Sequence, residues 1–426
     1  MDTSRNMKYL YSLSLVKLIG LYQILDPKNF RIYGFNAYHV GTVLSCVYIS
    51  AICVPSPLGL YHWSNDLNAF VFYFGLVGNF VLTVFKMINI VYYSEDIRKC
   101  VEIARFGFIS SYQHYNMKIF KKWQKWLTRV SFVYVMTVSS LIVVWLISPW
   151  VLNKTMVKIK NVDGSYSEYR MNIYNMYLMV TPQMYNEHYM LFYAIEAILL
   201  VSFIYFQIVF DIILIIICSA LTCQLEIICD AVQTLGYKRC QIGNDNDMEK
   251  NVMRSKATHK KANDLINIIT DHQSVIKKLN DFYNIFRVMI LPQILMVSNT
   301  HIQIWFIASM NFMVSGDETG NSILSIKLFS ALPMFTFQLF MTCYLFGTIN
   351  EKKDSIIFAL YSSNWTEMDV ETKKQIMFAM KMNNTNNSKM KFTLTKIVNL
   401  EMFTSMMRMC YSIFSMLVNY NRNKTE

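Results

Sequence analysis

The chain has 426 residues, of which 54% are hydrophobic and only 16% charged, with 13 Gly and 7 Pro against 29 Met, 29 Phe and 27 Tyr. Soluble globular chains carry about 25% charged residues, so an ordinary soluble enzyme is excluded, and the scarcity of Gly and Pro excludes collagen-like, Pro-rich and turn-dense β chains. The net charge of +12 would suggest nucleic acid in a soluble protein. In a helical, lipid-embedded chain it reflects basic loops on one face of the bilayer, and no nucleic-acid partner is expected.

About 20 consecutive apolar residues cross ~30 Å of hydrocarbon as a helix. Seven such segments are present, at approximately 37–58, 68–92, 128–152, 190–220, 284–312, 323–349 and 392–420. The fourth is the clearest, and the last is interrupted by Lys396, Glu401 and Arg408. Before them, the apolar stretch Tyr9 to Leu25 contains Lys17 and lacks a small-residue cleavage site. It reads as a retained interfacial or re-entrant helix rather than a cleaved signal.

Basic residues set the orientation. The connections on the N-terminal side, 1–36, 93–127, 221–281 and 350–391, hold five, seven, nine and seven Lys or Arg, 28 together, whereas the opposite side holds six. The expectation is an all-α membrane protein of seven transmembrane helices with a cytoplasmic N-terminus and an extracellular C-terminus, the reverse of a G-protein-coupled receptor. The apolar spacing of Leu225, Ile228, Val232 and Leu235 continues span four inward, and Leu265 to Phe286 runs unbroken into span five. Between them Gly236 to Lys250 reads as a loop. The organisation is therefore a cytoplasmic segment (1–36), spans one to four (37–220), a cytoplasmic helical anchor (221–283), spans five and six (284–349), a cytoplasmic helical connection (350–391) and span seven with a short outer tail (392–426).

The sequon at Asn153 falls on the outer side and is the glycosylation candidate. The nine cysteines lie in spans or inner segments at irregular spacing, so neither an outer disulfide nor a metal site is expected. There is no phosphate loop, dinucleotide turn, zinc-protease motif or nucleophile elbow. No catalytic residue and no cofactor is expected.

Ionisable residues inside spans are functional candidates by default. Lys86, Asp211 and Arg287 fall toward the inner ends, where snorkelling or exit from lipid accounts for them. Glu196, about two turns below the outer surface, is open to a role in a ligand cavity or in interhelical hydrogen bonding, and Arg408 to an ion pair with Glu401. The outer halves of the spans are rich in aromatics, which an interfacial belt explains in part. The i, i+3, i+4 stripe of Phe70, Tyr73 and Phe74, together with Trp145, is read instead as facing the bundle. An apolar pocket with few polar groups suits a small volatile ligand.

The last third carries the most specific pattern. Cys343, Phe346, Gly347, the run Ala359 to Trp365, Lys373-Lys374, and then Thr393 to Thr395, Val398 to Leu400, Phe403, Arg408 and Tyr411 to Leu417 resemble the span-six to span-seven region of insect odorant receptors. His272, Leu279, Asn280 and Phe286 fit the same family. The resemblance implies a ligand-gated, non-selective cation channel of four subunits, passing monovalent and divalent cations, in the plasma membrane of olfactory dendrites or cilia. It implies an odorant-tuned subunit paired with a co-receptor in a heterotetramer, with a small volatile apolar odorant as ligand. The odorant site implied lies on Phe70, Tyr73, Phe74, Val138, Leu141 and Trp145, with Tyr193, Glu196, His301 and Trp305 as further candidates. The pore implied runs along span seven, with the gate at Met416 and Leu417 beside it. On that span Ser405, Met409, Ser412, Met416 and Asn419 recur at steps of four and three and form one stripe. A gustatory-type receptor subunit is the close alternative; a G-protein-coupled receptor or a secondary transporter lacks its usual sequence marks here.

Overall fold

The computed structural model describes residues 9–20, 23–24, 31–32, 35–109, 115–151, 155–235, 237, 249–313, 319–385, 389–393 and 395–425. Asn153 and most of the loop expected at 236–250 lie outside the described residues. The chain opens with a short helix α1 (Leu13–Leu18) and a two-residue β ladder, β1 (Arg31–Ile32) with β2 (Phe35–Asn36). The first span, α2 (Ala37–Cys53), starts where the Asn36 side chain accepts from the Tyr38 amide and is followed by α3 (Ser56–His62). The second, α4 (Leu67–Tyr92), is capped by Asp66, whose side chain accepts from the Ala69 amide. Both caps satisfy amides that the first helical turn leaves without partners.

After a short α5 (Ser94–Val101) come α6 (Met117–Val151), a hairpin of β3 (Met156–Lys160) and β4 (Tyr166–Arg170), α7 (Pro182–Glu187) and α8 (Tyr189–Gln233). The remainder is α9 (Glu249–Met313), α10 (Thr319–Ser362), α11 (Val370–Thr385) and α12 (Leu400–Thr425). Among the described residues, six helical stretches are long and apolar enough to cross a membrane: Ala37–His62, Leu67–Tyr92, Met117–Val151, Tyr189–Gln233, Ala262–Ile307 and Lys327–Ser362. The seventh, α12, has 26 residues and so spans about 39 Å. Its polar stripe makes it less apolar than the other six.

The most apolar stretch of α8 is 78% buried against 28% for that of α6, which puts α8 at the centre of the bundle with its partners around it. The bundle has one end rich in Lys and Arg, called here the basic end, and an opposite end that carries the hairpin. At the basic end Glu226 of α8 takes Lys122 of α6 at 3.2 Å, Lys352 of α10 at 3.4 Å and the Trp123 indole N–H at 3.1 Å. One carboxylate thus ties three helices where they run beyond their apolar stretches. The helical continuity expected from the sequence is present in α9, α8 continues inward to Gln233, two residues short of Leu235, and α11 packs beside α9 and α10.

Two local features differ from the sequence reading. The helix anticipated over Tyr9 to Leu25 is described at Leu13–Leu18 and at residues 23–24, and the residues before Leu13 are tied to a distant segment instead: the Leu10 amide bonds to the Ala104 carbonyl at 2.8 Å, and Leu10 is buried. The connection 152–189, for which the sequence reading offers no element, holds the β3–β4 hairpin, paired from Met156↔Arg170 to Lys160↔Tyr166. Alternating exposed and buried side chains and an Asp163-Gly164 turn, with Gly164 at φ 83°, are the ordinary hairpin signals. The Ser165 hydroxyl and amide, both donating to Asp163, hold its carboxyl below the usual range.

Candidate functional site: an apolar cavity and a striped helix

Near the end opposite the basic one, five spans and one loop enclose a cavity of about 80 Å³. Helix α4 contributes Phe72, Gly75, Leu76 and Asn79; α6 contributes Leu141 and Trp145; α8 contributes Leu200, Phe203 and Ile204. The far wall is α9 with Thr300, Gln303, Ile304 and Ile307, and α10 with Leu328, Ala331, Met334 and Phe335. Tyr174 enters from the loop after β4, its ring 5.5 Å from Trp145 and 5.4 Å from Phe80. The Trp145 indole N–H donates to Ser330 at 3.0 Å, and the Lys327 ammonium lies 5.0 Å from its ring centre.

The loop that delivers Tyr174 is held between two buried charges. Glu196 of α8 accepts from the backbone amides of Tyr174 (2.6 Å), Asn175 (3.1 Å) and Met176 (2.8 Å) and from the Tyr185 hydroxyl (3.2 Å). Lys327 of α10 donates to the carbonyls of Asn172 (2.9 Å) and Ile173 (2.6 Å). The peptide dipoles of residues 172–176 therefore run between an ammonium and a carboxylate, and Asn175 turns through φ 52° to make that possible. Of the two roles left open for Glu196, hydrogen bonding to another helix is present in the bond from Tyr185 of α7, the loop amides are further partners, and Glu196 is not among the residues that line the cavity.

On the basic side of the cavity a polar layer joins the same spans. Lys86 of α4 donates to Gln207 of α8 at 2.6 Å and lies 3.4 Å from Gln293 of α9. Asp211 accepts from Tyr134 of α6, from Gln338 of α10 at 2.8 Å and from Gln293 at 3.3 Å. Lys86 and Asp211 are 0% and 5% exposed, so the snorkelling expected for them does not occur. Burying such charges is tolerable because each is hydrogen-bonded by neutral amides and the opposite charge sits one layer away. Arg287 is exposed, as a helix leaving lipid allows.

Of the residues singled out in the sequence, Leu141 and Trp145 stand on the cavity wall, and the others lie elsewhere. Val138 is fully buried but one turn away; Tyr73 packs edge-on against Trp63 at 5.1 Å. Phe70 stacks on Phe74, which is 51% exposed. Tyr193 donates to the Leu146 carbonyl at 3.0 Å, and His301 is bonded to the Val297 carbonyl and to Thr336. Trp305 packs against Phe329 and, at 5.2 Å, against Phe414 of α12. At 100° per residue, Phe72, Gly75, Leu76 and Asn79 occupy the side of α4 opposite Phe70 and Phe74. The signal that marks that face is a small residue and an amide, Gly75 and Asn79 at i, i+4 in an otherwise apolar helix.

Helix α12 packs on α9 and α10 through Met402, Cys410, Phe403 and Phe414. Ser405, Met409, Ser412, Met416 and Asn419 lie on another face and are all exposed, Met416 by 73%. The side chain of Leu417 lies outside the described residues. Arg408 is exposed and makes no ion pair with Glu401 among the described residues.

A helical bundle of this kind, closed around an apolar chamber and bordered by a helix whose polar stripe is exposed among the described residues, is a multi-pass membrane protein with an interior ligand-type cavity. The family model described as 7tm Odorant receptor matches residues 66–411, and the chain belongs to the insect odorant receptor family, a family of odorant-gated ion channels and not of enzymes. The fold superimposes on the insect olfactory receptor OR5 from Machilis hrabei with a TM-score of 0.70, covering 95% of this chain and 97% of that one at 14% identity. The structure of that receptor in complex with eugenol gives 0.68, with 96% and 98% covered at 12% identity. Likeness at such identity establishes the seven-helix fold. No curated protein sequence matches the chain.

Proposed function

We propose that this chain is the odorant-tuned subunit of a ligand-gated, non-selective cation channel, assembled with a co-receptor subunit in a heterotetramer in the plasma membrane of olfactory dendrites or cilia. The basic end faces the cytoplasm, and the cavity lies in the outer half. A small volatile odorant occupies the cavity, and monovalent and divalent cations pass along the striped face of α12. The observation that carries this reading is the position of α9: Ile304 lines the cavity while its neighbour Trp305 packs on Phe414 of α12. The volume of about 80 Å³ is well below the ~300–1,000 Å³ of drug-sized ligand sites. An odorant therefore enters by turning side chains such as Met334 and Phe335, and the walls move as it does. The apolar face of the basic-end layer, with Ile268, Ile276 and Phe378 lining a groove of about 650 Å³, supports assembly through that layer.

Current recording with the co-receptor against a panel of volatile esters, alcohols and aldehydes tests the proposal. Trp145 is 7% exposed, and burying a large apolar side chain contributes roughly 1.5–3 kcal/mol. Trp145→Ala should therefore raise the half-activating concentration about tenfold or more at unchanged surface expression. An unaltered dose response removes the cavity from odorant recognition.

A further inference from the structure

The cavity wall is apolar almost throughout, and among the described residues the Gln303 amide, the Asn79 Oδ1 and the Tyr174 hydroxyl on it have no hydrogen-bond partner; of these, the Gln303 amide has its place made by a glycine opposite it. Gln303 of α9 lays its amide directly over Gly75 of α4: a Cβ built on Gly75 would stand 1.8 Å from Oε1 and 3.2 Å from Nε2 of Gln303. Only glycine at that position leaves the amide where it is. Several donors around it are engaged. The Asn79 amide nitrogen donates to the Gly75 carbonyl and to Thr300, both at 2.8 Å; Thr300 donates to the Met296 carbonyl at 2.8 Å; Trp145 donates to Ser330. Among the described residues no group hydrogen-bonds to either end of the Gln303 amide. Gln303 is half-buried, and its amide stays accessible for a hydrogen bond with what enters the cavity.

We infer that Gln303 is the specificity-determining polar contact of the cavity, and that it selects small, mostly apolar molecules bearing one hydrogen-bonding oxygen, a hydroxyl or a carbonyl. This rests on the proposed odorant role of the cavity and adds the class of odorant to it. A primary amide offers an N–H donor to a carbonyl oxygen and a C=O acceptor to a hydroxyl, so both oxygen functions are served by one side chain. Leu76, Ile304 and Phe335 supply the surface for the hydrocarbon remainder. A hydrocarbon of the same shape fills the same space and leaves the amide unpaired, which is the asymmetry by which a polar group in an apolar site rejects an analogue lacking its partner. Gly75 acts as the positioning residue, since its missing Cβ is what admits the amide to the wall.

The test uses the full channel with its co-receptor and three pairs in which oxygen is exchanged for carbon: acetophenone and α-methylstyrene, 2-heptanone and 2-methyl-1-heptene, 1-heptanol and octane. In the wild type the oxygenated member should activate at about tenfold lower concentration, equivalent to ~1.4 kcal/mol, and Gln303→Leu should bring that ratio to about one. Comparing the ratio between wild type and variant cancels differences in volatility and membrane partition. Gly75→Ala, which displaces the amide without removing it, should shrink the ratio in the same direction and serves where Gln303→Leu lowers surface expression. Trp145→Ala should weaken both members of each pair alike. If the ratio is unchanged in both variants while Trp145→Ala still weakens the response, the Gln303 assignment falls and the cavity stands. If Trp145→Ala also has no effect, both fall. A wild type with equal responses within each pair, or silent to all six compounds, overturns the ligand class.

Discussion

Removing the Glu196 carboxylate should release the loop that closes the cavity. The side chain is 0% exposed and accepts four hydrogen bonds, three of them from consecutive backbone amides. Each bond to a buried charged group contributes about 1.5–3 kcal/mol, and they are not additive, because the loop leaves as a unit. Breaking a buried charge pair by deleting one partner costs about 3–5 kcal/mol, and that is the magnitude expected for Glu196→Ala, since it also leaves the Lys327 ammonium without its counter-charge. Such a loss is a sizeable part of the ~5–15 kcal/mol that holds a typical domain folded. The direct assay is amide hydrogen exchange on the detergent-solubilised channel. Exchange over residues 172–176 should accelerate by about a hundredfold or more, with exchange at the basic end unchanged. Odorant potency should fall in parallel, because Tyr174 leaves the cavity with the loop. Glu196→Gln combined with Lys327→Met should recover part of the protection lost in Glu196→Ala, since removing both charges spares the uncompensated one. Wild-type exchange at these amides in Glu196→Ala would refute the reasoning.

The exposed stripe on α12 gives a prediction for gating. Hydrophobic constrictions can close a pore by dewetting, so Met416→Ser should produce current without ligand at normal surface expression; a silent baseline with an intact odorant response takes Met416 out of the gate and leaves Leu417 as the next candidate. The basic asymmetry of 28 to six gives another, for topology. An N-terminal tag should stain only after permeabilisation, and staining of intact cells would reverse the orientation.

The spans were legible because lipid imposes a demand that composition alone answers: about 20 apolar residues per crossing. The continuity of α8 and α9 past the membrane was legible from helical periodicity for the same kind of reason. What the buried charges do was not, because their partners are remote or carry no side-chain signature. Glu196 pairs with backbone amides of a loop some 20 residues earlier, and any sequence offers backbone amides. Lys86 and Asp211 each meet glutamines from two other spans, and a glutamine in a span gives no hint of which neighbour it serves. The face of α4 that lines the cavity was missed for a different reason. Large aromatic rings suggested a binding face, yet a cavity exists where side chains are small, so Gly75 and Asn79 mark it and Phe74 looks outward.

In the proposed channel the same contrast makes α9 the coupling element. Its cavity face is made of Thr300, Gln303, Ile304 and Ile307, modest side chains that leave room, whereas one residue further round the helix Trp305 fills the space against α12. Helix packing is close and transmits displacement with little compression. A ligand larger than the cavity of about 80 Å³ has to push a wall outward, and of the five spans that form the walls, α9 has the greatest share of its packing on α12. Coupling between sites requires an element that both sites bias, and in the proposed channel α9 is that element, with Ile304 on the cavity and Trp305 on α12.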